Sequence, residues 1–278
     1  MFSSIYRGRV LNIAHRGARS LAPENTLASA RKAFEAGADM WELDVSMTAD
    51  DELVVIHDRT LERTSNVKEI FPSRYPWRAC DFTLEELRRL DFGSWFVETD
   101  PFKSIASGDV SGSELESYAG QPVPTLREAL HFTRSHNRLV NVEIKDLEGT
   151  PGAGHSMVVE RVVALVEELK MAGSVLLSSF NHGYLRRAKA ANSHIPAGAL
   201  VDTMQSDPTS LLERLGAEAY HPRVGTIRPG DIASLRDRGL EVFVWVANDE
   251  KTMRALIKAR ASGIFTDFPQ VLRAILHD

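Results

Sequence analysis

Short apolar runs recur along the chain, and between them the apolar positions fall at helical spacing. The runs Val10–Ala14, Met40–Met47, Leu139–Ile144, Val175–Ser179, Ala197–Val201, Ala219–His221, Glu241–Val246 and Gly263–Thr266 are predicted strands. Helical patterns separate them. One runs from Glu24 to about Ala36, opened by Pro23 and stopped by Gly37, and others cover Met157 to Leu169 and Ile232 to Arg238. Strands that alternate with crossover helices pair in parallel, and eight such units predict a closed TM-free α/β fold, the TIM (β/α)8 barrel, as a single domain over residues 1–278. An open doubly wound sheet is the alternative.

One apolar run breaks the alternation. Glu52–His57 follows the second strand after only Thr48-Ala49-Asp50-Asp51, too few residues for a parallel crossover, so it folds back antiparallel. A turn centred on Asp50-Asp51 pairs Ala49 with Glu52 and places Asp44 opposite His57; a slip of one residue moves His57 to the other face. Residues 58–124 then form an insertion after strand two, expected over the barrel mouth. Within it, Thr83 and Glu86 spell a capping box for a helix from Leu84 to Leu90, whereas the Ser/Gly/Glu-rich stretch Ser104–Gly120 reads as mobile.

Composition narrows the class. The 278 residues suit one closed barrel, which takes roughly 250. A net charge of -5 supplies no basic field for general nucleic-acid binding. The single cysteine, Cys80, has no internal disulfide partner, and with no signal-like run in Met1–Arg9 and no apolar span of membrane length, a cytoplasmic protein without stable membrane insertion is expected. The oligomeric state is not legible.

Charge at the strand ends carries the chemistry. Glu42 and Asp44 are two apart on one strand and share a face, as do Asn141, Glu143 and Lys145 on the next. Carboxylates facing a barrel interior must be paired or bound to a cation. Three of them without a thiolate suit a hard divalent ion, Mg²⁺ or Ca²⁺. The competing reading pairs Glu42 and Asp44 with Arg16 and Lys145 as plain salt bridges. Two imidazoles at strand ends, His15 and His57, argue for proton transfer near neutral pH. The remaining histidines, His131, His136, His155, His182, His194 and His277, read as loop or helix-surface residues, with His221 unassigned.

The ordered motifs His15-Arg16-Gly17, Pro23-Glu24-Asn25-Thr26, Glu42-Leu43-Asp44-Val45, Val54-Val55-Ile56-His57-Asp58, Leu61-Glu62-Arg63-Thr64, Pro124-Thr125-Leu126, Asn141-Val142-Glu143-Ile144-Lys145 and Gly263-Ile264-Phe265-Thr266-Asp267 span nearly the whole chain. Together they resemble the glycerophosphodiester phosphodiesterase family. The resemblance implies a divalent-cation-dependent barrel that hydrolyses a small glycerophosphodiester to glycerol 3-phosphate and an alcohol. It further implies Glu42, Asp44 and Glu143 as metal ligands, His15 and His57 as the acid/base pair, and Arg16 and Lys145 as phosphate-binding residues. Trp245 resembles the family's pocket aromatic, with a core role as its alternative; Trp95 and Phe96 either line the pocket or anchor a loop.

The chain departs from the family's pattern after Asn66, in the run Val67 to Trp77, and at Val246, where a threonine commonly follows the tryptophan. Both changes bear on substrate choice. A lysophospholipase D or phospholipase C-like activity on lipids is the related alternative and calls for an apolar surface, for which Phe71, Trp77, Trp95 and Phe96 are candidates. A catalytically silent phosphate-binding barrel is the rival outside enzymology. An amidohydrolase-type centre would need a His-x-His pair, and Arg16-Gly17 follows His15 instead.

Overall fold

The computed structural model describes residues 9–147 and 155–278. The expectation about residues 1–8 lies outside them. The strands are β1 (Leu11–Ala14), β2 (Met40–Met47), β3 (Leu53–Val55), β4 (Leu139–Ile144), β5 (Val175–Ser179), β6 (Ala197–Val201), β7 (Ala219–Pro222), β8 (Glu241–Val244) and β9 (Gly263–Thr266). All except β3 pair in parallel, in the order β1-β9-β8-β7-β6-β5-β4-β2, and a further β1–β2 pairing closes the ring. The expected eight-stranded barrel is therefore present, and β3 is an extra strand on β2.

Several of the helices outside the ring answer to a local capping signal. Thr26 caps α1 (Leu27–Glu35) through a reciprocal box with Ser29. The insertion contributes α2 (Val67–Ile70), α3 (Leu84–Leu87), α4 (Ser94–Thr99) and α5 (Gly112–Tyr118), and Thr125 with Glu128 caps α6 (Leu126–Ser135), the crossover from β2 to β4. The later crossovers are α7 (Val158–Glu168), α8 (His182–Ala191), α9 (Pro208–Leu215), α10 (Pro229–Asp237) and α11 (Glu250–Lys258), and α12 (Pro269–Ile275) follows β9. No helix among the described residues is long and apolar enough to cross a membrane.

Strand alternation divides the core. On β2, Trp41, Leu43, Val45 and Met47 join the helix-facing layer, while Met40 packs in the barrel lumen with Leu11, Ile13, Leu176, Ala219, Phe243 and Phe265. The insertion has its own apolar cluster, built from Val54, Ile56, Leu61, Val67, Phe82 and Leu87 among others.

β2 is longer than its neighbour allows. Its lower end pairs with β1 at Met40 and Trp41, and its upper end pairs with β3 at Val45, Ser46 and Met47. Between them β1 has turned away, which frees the edge of β2 from Glu42 onward.

Several boundaries differ from the sequence expectation. The first helix starts at Leu27 rather than Glu24, because Asn25 adopts a left-handed φ of 57° and Thr26 is the cap. The strand expected to reach Val246 ends at Val244. The stretch expected to be mobile contains α5, capped by Ser111 and Glu114, with the buried Tyr118 hydroxyl donating to Leu21 O at 2.8 Å. The hairpin register is shifted by one: Val45 faces Val55 and Met47 faces Leu53, which sets Asp44 opposite Ile56. The cause is the turn. Asp51 takes a φ of 66°, so Ala49-Asp50-Asp51 forms a three-residue loop closed by Thr48 N–H to Glu52 O at 3.0 Å.

His221 faces the lumen. It is fully buried against Phe243 and Phe265, and neither ring nitrogen has a hydrogen-bond partner among the described residues. The ring needs the glycine beside it, since a Cβ at Gly198 would sit 2.3 Å from Nε2. Burial pushes its pKa down to about 3. The unfolded chain thus binds a proton near pH 6.5 that the native state refuses until about pH 3, so stability is flat above 6.5 and falls as pH drops through that window. The expected slope from this one group is about 1.4 kcal/mol per pH unit. Thermal midpoints at pH 7 and pH 4.5 should fall less in His221→Leu than in the parent; an equal fall would contradict a neutral buried imidazole.

Candidate active site

The mouth of the barrel is organised by the turn that follows β1. Arg16 has a φ of 54° and Gly17 a φ of 80°, and a Cβ on Gly17 would lie 2.4 Å from Ser29 Oγ. Only glycine fits there. The turn aims two main-chain donors at the vacated edge of β2: Arg16 N–H donates to Glu42 Oε2 at 2.7 Å, and Gly17 N–H to Glu42 O at 3.2 Å. Asn25 then binds Asp44 twice, its Nδ2 donating to Oδ2 at 2.8 Å and its Oδ1 accepting from the Asp44 N–H at 3.3 Å.

Glu42, Asp44 and Glu143 come together. Adjacent positions on β2 and β4 pair Asp44 with Glu143, and one oxygen from each of the three carboxylates lies within 4.8 Å of the others. Lys145 Nζ reaches Glu143 Oε1 at 2.7 Å and Asp44 Oδ1 at 3.4 Å, and Arg16 Nε lies 3.5 Å from Asp44 Oδ2. Salt bridges are therefore present, but among the described residues none reaches Glu42 within 4.0 Å, and its buried Oε1 has no hydrogen-bond partner.

The electrostatics follow the same division. Burial and the charges of Asp44 and Glu143 raise the Glu42 pKa well above its usual value, and burial with Asp44 raises that of Glu143. Asp44 is also fully buried, yet Lys145 and Arg16 hold it below the ordinary carboxylate range. Two buried carboxylates, a third half-buried beside them and an orphaned oxygen fit a hard divalent cation, which would ionise Glu42 and Glu143 and satisfy the open oxygen.

Each imidazole is backed by a carboxylate. His15 Nδ1 lies 2.7 Å from Asp267 Oδ1, and His57 Nδ1 lies 2.6 Å from Asp58 Oδ1. His57 follows the last paired residue of β3, where strand alternation no longer sets its side, and it lines a cavity of about 210 Å³ with Ser46, Glu143, Lys145 and Phe180. Burial lowers the His15 pKa, against the effect of its hydrogen bond to Asp267.

A second cluster was missed because its members lie in loops. The buried Glu24 carboxylate meets three guanidinium groups: Arg63 at 2.6 and 3.1 Å, Arg16 at 2.9 Å and Arg19 at 3.0 Å. Arg63 also binds Asp58 at 2.6 Å, so this cluster ties the insertion to the turn after β1. Glu24, Asn25, Asp58, Arg63 and Asp267 all stand in the quoted motifs, which were the available signal; Arg19 and Asn248 had none beyond their proximity to them.

The aromatics divide. Trp245 Nε1 donates to His221 O at 2.7 Å, and the ring meets the exposed Phe180 edge to face at 5.4 Å, so its lower edge is structural while Phe180 stands beside the His57 cavity. Phe96 is buried against Tyr118 and anchors the insertion, and Arg63 stacks over Trp95 at 5.9 Å. Phe71 packs on Phe82, and Trp77 Nε1 donates to Phe71 O, which draws both into the insertion core rather than into a lipid-facing patch. His182 Nε2 meets Leu200 O at 3.0 Å, whereas the His155 side chain lies outside the description.

Residues 15–271 match the model of the glycerophosphoryl diester phosphodiesterase family. A glycerophosphodiester phosphodiesterase of Caldanaerobacter subterraneus subsp. tengcongensis is 34% identical over 265 residues, 95% of this chain and 96% of its own length. Among solved structures, an Oleispira antarctica phosphodiesterase in complex with the product sn-glycerol-3-phosphate superposes with a TM-score of 0.77 at 27% identity, covering 97% of each chain. A putative glycerophosphoryl diester phosphodiesterase of Silicibacter pomeroyi gives a TM-score of 0.82 at 25% identity, covering 97% of this chain and 94% of its own. With the family's pattern matched from His15 after β1 to the last helix, the chain belongs to the glycerophosphoryl diester phosphodiesterase family.

Proposed function

We propose that this barrel hydrolyses small glycerophosphodiesters to glycerol 3-phosphate and an alcohol, with Glu42, Asp44 and Glu143 holding Mg²⁺ or Ca²⁺. The observation that carries the reading is the trio of carboxylates within 4.8 Å, two of them buried, in which Glu42 Oε1 has no hydrogen-bond partner among the described residues. The product held by the Oleispira relative supports the substrate class. Bound there, the ion would supply positive charge to the phosphoryl oxygens.

The chain's own residues supply the rest. Arg16 and Lys145 flank the carboxylates and stabilise charge on the phosphoryl group as the ester bond breaks. Of His15 and His57, one accepts the proton of the attacking oxygen and the other protonates the departing alcohol, which is a poor leaving group as an alkoxide. Trp245 and Phe180 present an aromatic wall to the alcohol, and the chain leaving β3 delivers His57, with Asp58 and Arg63 of the insertion at 58–124, to the mouth of one barrel domain. The lone buried Cys80 supports a cytoplasmic setting.

Incubation with glycerophosphocholine and Mg²⁺ or Ca²⁺ is expected to release glycerol 3-phosphate, measured by a coupled dehydrogenase assay. Chelation should remove nearly all turnover, and returning either ion should restore it. No release from any glycerophosphodiester with either metal would overturn the assignment.

A further inference from the structure

We infer that Asp267, itself fixed by Asn248, is the positioning residue that sets the tautomer and orientation of His15. The inference rests on the proposed proton-transfer role of His15. Three observations support it.

First, β9 grips His15 twice. Its main-chain N–H donates to Thr266 O at 3.0 Å, and its ring Nδ1 lies 2.7 Å from Asp267 Oδ1. A carboxylate accepts and does not donate, so Nδ1 carries the proton and Nε2 is the nitrogen left to exchange one with substrate.

Second, the carboxylate is itself held from both ends. Asn248 Nδ2 donates to Asp267 Oδ2 at 2.7 Å, and Asn248 Oδ1 accepts from the Asp267 N–H at 2.9 Å. The amide therefore reads both the main chain and the side chain of Asp267 and fixes which oxygen faces the imidazole. Asp267 is 7% exposed, so water does not compete freely for that oxygen.

Third, the charges around the ring need a counterweight. Arg16 and Arg19 both act against a protonated His15, and Arg19 Nη1 stands 3.8 Å from Asp267 Oδ1. A carboxylate between Arg19 and the imidazole stabilises the imidazolium that forms when His15 takes a proton. His57 has a different arrangement: its carboxylate, Asp58, is the adjacent residue and answers to Arg63.

The test is a double-mutant cycle on kcat with glycerophosphocholine. His15→Ala alone must lower kcat, or the role of His15 fails and this inference with it. Given that loss, Asp267→Asn is expected to lower kcat by about 100- to 10,000-fold with KM within about threefold, since an amide places a donor where the Nδ1 proton needs an acceptor. Added to His15→Ala, the same substitution should cost nothing more. Asp267→Glu, which keeps the acceptor, should recover part of the lost kcat.

Asn248→Ser serves as the milder variant should Asp267→Asn fold poorly. It should lower kcat at constant KM and likewise have no effect in the His15→Ala background. Unchanged kcat in a folded Asp267→Asn, or a loss that multiplies with that of His15→Ala, would overturn the inference while leaving the role of His15 intact.

Discussion

Replacing His57 with alanine is expected to lower kcat by about 1,000-fold, within the range that a positioned acid or base contributes, while divalent-ion affinity stays within a few-fold of the parent. The ring reaches the site from just past β3, and neither the three carboxylates nor Arg16 and Lys145 depend on it for a hydrogen bond. Its loss therefore removes proton transfer and leaves the cation's ligands in place. Metal titration followed by calorimetry, together with steady-state kinetics, separates the two effects. Unchanged turnover would assign the proton transfer elsewhere, and a lost metal site would make His57 part of the ligand scaffold.

Glu24→Gln should cost about 3–5 kcal/mol of stability, because it leaves three guanidinium groups crowded around a neutral amide with the side chain 98% removed from water. At roughly 2–4 °C per kcal/mol for a domain near this size, the thermal midpoint should fall by about 10 °C. The pH dependence carries a defined sign. Against its burial, Arg63, Arg16 and Arg19 hold the Glu24 pKa down to about 2. The unfolded carboxyl takes up its proton near 4.5, so the contribution is complete above that pH and is lost as pH falls toward 2. The variant should show a shallower acid limb. A midpoint shift under about 2 °C would mean the arginines find water or other partners as readily.

The fold was legible because barrel strands announce themselves. All eight parallel strands matched apolar runs, and alternation along β2 put Glu42 and Asp44 on one face without knowledge of any partner. The hairpin was legible in kind but not in register, since the outcome turned on whether Asp51 adopts a left-handed conformation, which one residue name does not decide. Helix onset failed for a related reason: Pro23 looked like a first-turn proline, but Asn25 was needed for Asp44.

The site was legible where residues end strands and hidden where they sit in loops. Asp267 stands one residue past β9, and its importance follows from 252 residues of chain bringing it back to His15. Glu24 and Arg63 are 39 apart and look like surface charges until the insertion folds over the first turn. Proximity of that kind is a property of topology, and a local pattern holds no trace of it.

The divided use of β2 gives the molecule a natural seam. One edge of the strand pairs with β4 as part of the ring through Val45, whereas on the other edge the upper half leaves β1 and seeds a hairpin whose apolar cluster is separate from the lumen. Sequence drift within residues 58–124 can therefore reshape the entrance without repacking the ring. Several fastenings limit that freedom, among them the β2–β3 ladder, the grip of Arg63 on Glu24 and the bond of the Tyr118 hydroxyl to Leu21 O. A chimera that exchanged the insertion between relatives would need to preserve these ties to seat a new entrance on the same barrel.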